Sequence, residues 1–377
     1  MLKIASIVLN NFKNDSRVLK TNISLQNAGY SVQVVALWEN GVDEFEVIQN
    51  IPVHRVKLKS KDWSKNKIIQ LAKYLELMYR CIKSYKDYNI FHCNDLNSLP
   101  IGVVIKKYFN KNIKIVYDAH EHESYRAGYS ETMQVLSRWF EGKLIKYADK
   151  VITVSKAIAD DYERMYNIEK PALVLNTPFY RQVEKTDIFR TKFSIPNDDI
   201  IFLYQGGLSP NRGILEFAEQ ISNIKGYSYI VMGYGALESE IKKFSKNTTN
   251  IFFHEAVAPD VLLSYTCSAD IGICIEKPIC RSWDYALPNK LFEYIMSDLC
   301  VIVGGLSEMT KFVKKNDVGF IMDNIEDSKS FKLLLEKVSL EYIQKKENLE
   351  KIRKTYNWEM QEKVLIKSYL EIEDIKC

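Results

Sequence analysis

No apolar run in this chain approaches the roughly 20 residues that a membrane-spanning helix needs, and the mean hydropathy is only −0.21. The opening MLKIASIVLNNFKNDS is too polar for a signal peptide and reads as a first strand. Cysteine is sparse and unpaired: seven residues, an odd number, with no C-x-x-C spacing. That excludes a disulfide framework and fits reduced thiols in the cytosol. Glycine totals 15 in 377 residues, and no G-x-G-x-x-G sits in the first strand-to-helix turn, which leaves a dinucleotide dehydrogenase without support. No nucleic-acid module stands out and the pI is only 8.4, so nucleic acid is not expected as a partner.

What is present is alternation. Short apolar runs fall at 2–9, 31–37, 51–58, 90–94, 114–119, 151–155 and 172–175. Helical spacing fills the gaps at 16–28, 64–87, 96–109, 131–147 and 156–166. A polar stretch with Pro178 and Pro196 follows at 178–198 and reads as a linker. Strand signals resume at 200–204, 228–232, 251–254, 271–275, 300–303 and 319–322. Buried strands between helices mean parallel sheets covered on both faces. The expected fold is therefore α/β, two doubly wound, Rossmann-like domains facing a central cleft. The expected boundaries are 1–177, linker 178–198, 199–355, and a last helix in 356–377 crossing back to the N-terminal domain. That helix carries Trp358, Val364, Leu365 and Tyr369 at helical spacing. Ligands in such folds bind outside the carboxyl ends of the strands.

Charge is unevenly spread. Residues 1–180 hold 26 Lys and Arg against 19 Asp and Glu, a net +7, and the remainder 26 against 29, a net −3. A basic first half suggests an anionic partner. The lysines at 57, 59, 61, 65, 67 and 73, with Trp63 among them, suit an anionic lipid surface as well as plain solvation.

Chemistry-bearing residues gather at the strand ends. The first strands offer His92, Asn94 and Asp95, then Asp118, His120, Glu121, His122 and Glu123. A metal site from His92, His120 and His122 with Glu121 or Glu123 is conceivable, but the spacing fits no known ligand frame. A His at the end of a parallel strand can instead hold a substrate hydroxyl. In the second half, Tyr204-Gln205-Gly206-Gly207-Leu208-Ser209-Pro210-Asn211-Arg212-Gly213 places two glycines where backbone can approach a ligand. It also places Arg212 where a guanidinium can clamp phosphate. Further glycine turns occur at Gly233 and at Gly304-Gly305-Leu306. The most informative stretch is Tyr285-Ala286-Leu287-Pro288-Asn289-Lys290-Leu291-Phe292-Glu293-Tyr294-Ile295. After a Pro at a helix start, Lys290 and Glu293 share one helix face. Near a helix N-terminus an ammonium suits a diphosphate and a carboxylate suits a ribose diol, which points to a nucleotide-sugar site.

These stretches together resemble the GT-B glycosyltransferases, most closely the retaining family 4 group, over nearly the whole chain. Asn14-Asp15-Ser16-Arg17-Val18 resembles that family's first loop, Tyr117-Asp118-Ala119-His120-Glu121 its strand-end His motif, and Pro288 to Tyr294 its donor motif. The resemblance implies a hexosyltransferase-type enzyme with a nucleotide-sugar co-substrate, needing no cofactor and no metal. It implies that Glu293 binds the donor ribose and that Lys290 and Arg212 neutralise the leaving diphosphate. His120 would lie beside the transferred sugar. Gly206, Gly207, Gly233, Asn289 and the backbone near Gly305 and Leu306 would line the donor site, with Val257 beside the base. The acceptor, a glycan or polyprenyl-linked glycan, would meet loops near Arg17, Tyr125 and Arg126. The implied setting is cytoplasmic, peripheral at the inner face of the cell membrane, in surface-glycan synthesis such as O-antigen, capsule or lipopolysaccharide. Two departures from the family pattern are visible. Tyr285 stands where a first Glu precedes Glu293 by eight residues, and Gly207 where an Arg follows the first glycine. They leave room for two other readings, a degenerate scaffold subunit and a nucleotide-sugar epimerase.

Overall fold

The computed structural model describes residues 1–64 and 66–374. Lys65 of the basic cluster, Cys377, and the last three positions of the expected final helix lie outside the described residues. The chain forms two compact units. One comprises Met1–Val174 with the C-terminal residues from Glu362, the other Leu175–Gln361.

The first unit contains strands β1 (Lys3–Ile7), β2 (Ser31–Leu37), β3 (Phe45–Ile48), β4 (Ile51–Val56), β5 (Ile90–Asn94), β6 (Lys114–Ala119), β7 (Lys150–Thr153) and β8 (Ala172–Leu173). They form one sheet in the order β3-β4-β2-β1-β5-β6-β7-β8. All neighbours are parallel except β3 and β4. Strand β3 was not expected. It is only four residues long, with Glu46 interrupting its apolar side chains and its face largely exposed, and it exists because it pairs at the sheet edge with β4. The chain steps left from β1 through β2 and then right from β5 onward, so the order reverses between β1 and β5. That reversal is a topological switch point, where open α/β sheets place ligands.

The second unit holds β9 (Ile200–Gly207), β10 (Tyr227–Tyr234), β11 (Ile251–Glu255), β12 (Ile271–Cys274), β13 (Cys300–Val303) and β14 (Gly319–Ile321). These six strands are all parallel in the order β11-β10-β9-β12-β13-β14. The switch point here lies between β9 and β12. The core is continuous, running from Phe202 and Tyr229 through Ile273 and Ile302 to Phe331 and Leu349. Residues 178–198, read from sequence as polar linker, include a helix at Ile188–Phe193, and its Phe189 is fully buried in this core. The closing helix runs Trp358–Asp374, with Trp358, Leu365 and Tyr369 fully buried. Both sheets are thus α/β with helices between parallel strands, as the alternation implied.

Candidate functional site

In the second unit, the carboxyl end of β9 carries Gly206 and Gly207, and a loop leads to helix Ile214–Ile221. Gly213 opens that helix at φ +69°, and a Cβ there would sit 2.4 Å from the Ile275 carbonyl oxygen. Only glycine fits this left-handed, crowded position. It brings the loop against the segment after β12, and with it Arg212.

Arg212 Nη1 reaches Glu276 Oε1 at 2.5 Å, its Nε donates to Ser209 Oγ at 2.9 Å, and its guanidinium lies 5.1 Å from the Trp283 ring centre. Helix Asn289–Met296 opens at Pro288, which caps it. Its first turn points Lys290 into the same place: Nζ is 3.0 Å from Glu276 Oε1 and lies over the Tyr204 ring at 4.6 Å. Two cations from distant segments therefore converge on one buried carboxylate. The Glu276 side chain is 5% exposed, Lys290 10% and Arg212 29%. Burial, the largest single influence, lowers the Lys290 pKa, but Glu276, Cys274 and Tyr204 together outweigh it and the net shift is upward, so the ammonium stays charged. At Glu276 itself two cations thus share one carboxylate.

Glu293 lies one turn past Lys290 and accepts a hydrogen bond from Gln205 Nε2 at 2.7 Å. Gln205 is held in turn by Thr266 Oγ1, which donates to Gln205 Oε1 at 2.7 Å. Its backbone N–H donates to Tyr294 Oη at 2.9 Å. The carboxylate is thereby oriented from β9. Arg212, Lys290, Glu293 and the Gly206-Gly207 turn are thus brought together. Asn289 is exposed at the helix start. Gly233 follows a different logic, because a Cβ there would lie 1.9 Å from the Gly206 carbonyl oxygen. It lets β10 and β9 approach closely at their ends. Leu306 is fully buried, so only its backbone can face a ligand. The helix after it, Ser307–Asn316, already has an anion at its start: Asp284 accepts from the Ser307 N–H at 2.7 Å. Val257 is partly buried against the core. His254, three residues earlier, accepts a hydrogen bond from Lys192 Nζ at 2.9 Å.

Sequence reasoning missed Glu276, Gln205, Ser209 and Trp283. Glu276 comes two residues after the end of β12, and a charged residue closing an apolar run is the signal that could have found it.

The first unit's switch point is built differently. Asp15 caps helix Ser16–Asn27, accepting from the Val18 N–H at 3.1 Å. Arg17, in the first turn, is turned inward rather than toward a ligand. Its Nε and Nη2 donate to the Asp118 carboxylate at 3.1 and 2.6 Å, and Nη1 donates to the Val174 carbonyl at 2.7 Å. With Arg17 4% exposed and Asp118 0%, the pair is a buried bidentate bridge. Three of the five Arg17 N–H donors are engaged in this way within the first unit. Burial would raise the Asp118 pKa, but Arg17 and His120 hold the carboxylate well below its usual range.

The three strand-end histidines go separate ways. His92 bonds Tyr369 Oη at 2.6 Å, and His122 bonds Asp161 at 2.9 Å. His120 lies between Asp118, at 3.2 Å, and Asp95, at 3.5 Å. Burial pushes the His120 pKa down, but the two carboxylates outweigh it and raise it. Among the described residues, no group of three or more His, Cys, Asp or Glu is placed to hold a metal ion. Arg126 is paired with Glu121 and Glu123, both at 2.9 Å, and Tyr125 Oη accepts from Arg138 at 2.9 Å.

Residues 19–177 match the family model described as Glycosyltransferase Family 4. No curated protein sequence matches the chain. Among solved structures the chain is similar to sucrose-phosphate synthase from Thermosynechococcus elongatus, at 16% identity over 100% of both chains with a TM-score of 0.79. It is similar to HepE from Anabaena in complex with UDP-glucose, at 15% identity over 99% of both chains and TM-score 0.71. It is also similar to WaaG, a glycosyltransferase involved in lipopolysaccharide biosynthesis, at 14% identity over 96% of this chain and 98% of that one, TM-score 0.64. At such identities the likeness is one of fold, that of the GT-B glycosyltransferases. Together with the family match it supports a transferase enzyme of the glycosyltransferase type.

Proposed function

We propose that this protein is a retaining glycosyltransferase that moves a sugar from a nucleotide diphosphate donor, with UDP-sugar as the first choice, to a lipid-linked oligosaccharide of a surface-glycan pathway. The observation that carries the reading is the convergence of Arg212 and Lys290 at the switch point between β9 and β12, with Glu293 one turn further on. A diphosphate departing from an anomeric carbon builds negative charge in the transition state. Fixed cations in a partly buried pocket stabilise that charge without reorganising. In this reading Arg212 and Lys290 meet the phosphates and Glu293, oriented by Gln205, accepts hydrogen bonds from the ribose diol. Glu276 holds the two cations together when no phosphate is present. The bound UDP-glucose of HepE and the pathway of WaaG support the donor class and the acceptor class respectively. His120 is assigned to the transferred sugar, as the resemblance implies, and no metal is assigned a role. The setting is the cytoplasmic face of the cell membrane; no described helix is long and apolar enough to cross it.

A thermal-shift comparison of UDP, GDP, CDP, dTDP and CMP without added metal tests the reading. One diphosphate is expected to stabilise the chain selectively, and Glu293→Ala to remove that response. If none of the five shifts the melting temperature, the donor site is misassigned and a non-enzymatic scaffold becomes the better account.

A further inference from the structure

Helix Glu131–Leu144 of the first unit is inverted. Its Glu141 points into the core, fully buried, and accepts hydrogen bonds from Tyr117 at 2.8 Å and from Tyr162, Tyr166 and Ser124, each at 2.6 Å. Four hydroxyl donors satisfy a carboxylate that would otherwise be costly to bury. The large apolar side chains point the other way. Met133, Val135, Leu136, Trp139 and Phe140 are between 41% and 63% exposed. An ordinary surface helix does the reverse.

Helix Lys67–Tyr85 adds a second stripe. It buries Leu77, Cys81 and Tyr85 and leaves Ile68, Leu71, Leu75 and Tyr79 between 54% and 80% exposed. Their spacing of three, four and four residues keeps them on one face. Both helices lie on the same side of the sheet. The steps β4 to β5, β5 to β6 and β6 to β7 run in one direction across it, so right-handed crossovers put their helices on one face. The middle helix, Leu99–Tyr108, packs against both and exposes Tyr108, with Phe109 beside it. Exposed apolar patches of this extent on one layer mark a docking surface.

Charge tells which partner. Across residues 57–85, 99–109 and 131–147, seven described lysines are exposed, Lys57, Lys67, Lys143 and Lys146 among them, against the two acids Asp62 and Glu131. Protein interfaces are depleted in Lys, whereas helices that lie on bilayers combine Trp, Phe and Leu with a lysine border. Trp63 is 57% exposed at the start of the first stripe, in a loop that Lys73 fastens by donating to the Lys61 and Trp63 carbonyls at 2.7 and 2.9 Å.

We infer that this outer face of the first unit is a docking surface for an anionic bilayer, with Leu136, Trp139, Ile68 and Leu71 entering the interfacial layer and the lysines meeting anionic headgroups. The inference deepens the membrane setting proposed for the acceptor, yet it stands on the first unit alone. The test is flotation of the full chain with vesicles of phosphatidylcholine alone and of phosphatidylcholine with phosphatidylglycerol. Binding to the anionic vesicles is expected, weakened by salt. The double substitution Leu136→Ser with Trp139→Ser is expected to lower it by at least about tenfold, and Lys143→Ala with Lys146→Ala by roughly tenfold. All four positions are exposed, and an unchanged melting temperature and nucleotide response will show that fold and donor site persist. A native chain that does not float with anionic vesicles overturns the inference, as does a double serine variant that floats equally well. Loss of a lipid-free dimer in the serine variant, seen by sedimentation without vesicle binding by the native chain, also overturns it and makes the face an interface between copies. A failed nucleotide screen beside successful flotation would sink the donor reading and leave this one standing.

Discussion

The two switch points share a topology and use their arginines in opposite ways. In the first unit Arg17 is buried and bound on both forks by Asp118 and by a backbone carbonyl. In the second, Arg212 keeps 29% exposure and shares one carboxylate with Lys290. One carboxylate per guanidinium closes the charge balance and makes a structural clamp. One carboxylate shared by two cations leaves Arg212 without a carboxylate of its own among the described residues and partly exposed, where an anionic ligand can meet it. The difference lies in the stoichiometry of charge and in burial, since the residue types and positions at strand ends are alike.

The largest effect should come from breaking the clamp. Arg17→Met leaves the Asp118 carboxylate buried without its main partner. Removing one member of such a pair costs about 3–5 kcal/mol, readable in denaturant unfolding of the full chain. Arg212→Met should cost no more than about 1 kcal/mol in the same assay, because partly exposed pairs contribute little. Equal losses would erase the distinction between clamp and ligand site.

Activity should divide the other way. Arg212→Ala and Glu293→Ala are each expected to slow sugar transfer about a hundredfold, near 2.7 kcal/mol of barrier. Near-normal turnover in both well-folded variants, measured with the nucleotide found by thermal shift, would refute their assignment.

Glu276→Gln sharpens the charge argument. Removing the shared negative charge should tighten UDP binding about tenfold, or 1.4 kcal/mol, in titration calorimetry at low salt. Weaker binding instead would mean that the carboxylate chiefly positions Arg212 and Lys290.

The smallest effect concerns pH. The two carboxylates raise the folded His120 pKa above its ordinary value. Its stabilisation is therefore fully present below that ordinary value, near 6.5, and is lost as pH rises through the raised one. The stability gap between native chain and His120→Gln should shrink over that window. Asp118 acts with opposite sign, its contribution lost only as pH falls through its depressed pKa. A gap constant from mildly acid to alkaline pH would remove the imidazolium from the cluster.

Much of the fold could be read from the chain because buried parallel strands leave continuous apolar runs and glycine punctuates their ends. Segments whose placement depends on a distant partner could not be read this way. Phe45–Ile48 became a strand through β4. The helix at Ile188–Phe193 is only six residues long, and its place is set by a core built elsewhere in the second unit, which takes in Phe189. At the site, Lys290 and Glu293 were visible because one helical turn relates them. Glu276 was not, because Arg212 meets it across 64 residues.

The sequence by itself determined the α/β alternation, the glycine turns, the helix that carries Lys290 and Glu293, and the basic first half. Those follow from local periodicity and from backbone conformations open mainly to glycine. Tertiary structure alone decided which charges are spent and which remain free. It neutralised Arg17 with Asp118, 101 residues away, and it turned Glu141 inward so that Trp139 and Leu136 face out. A helical wheel shows which residues share a face. Only the packing of hydroxyl donors around Glu141 shows which face is buried, because the cost of burying a carboxylate depends on partners that no local pattern encodes.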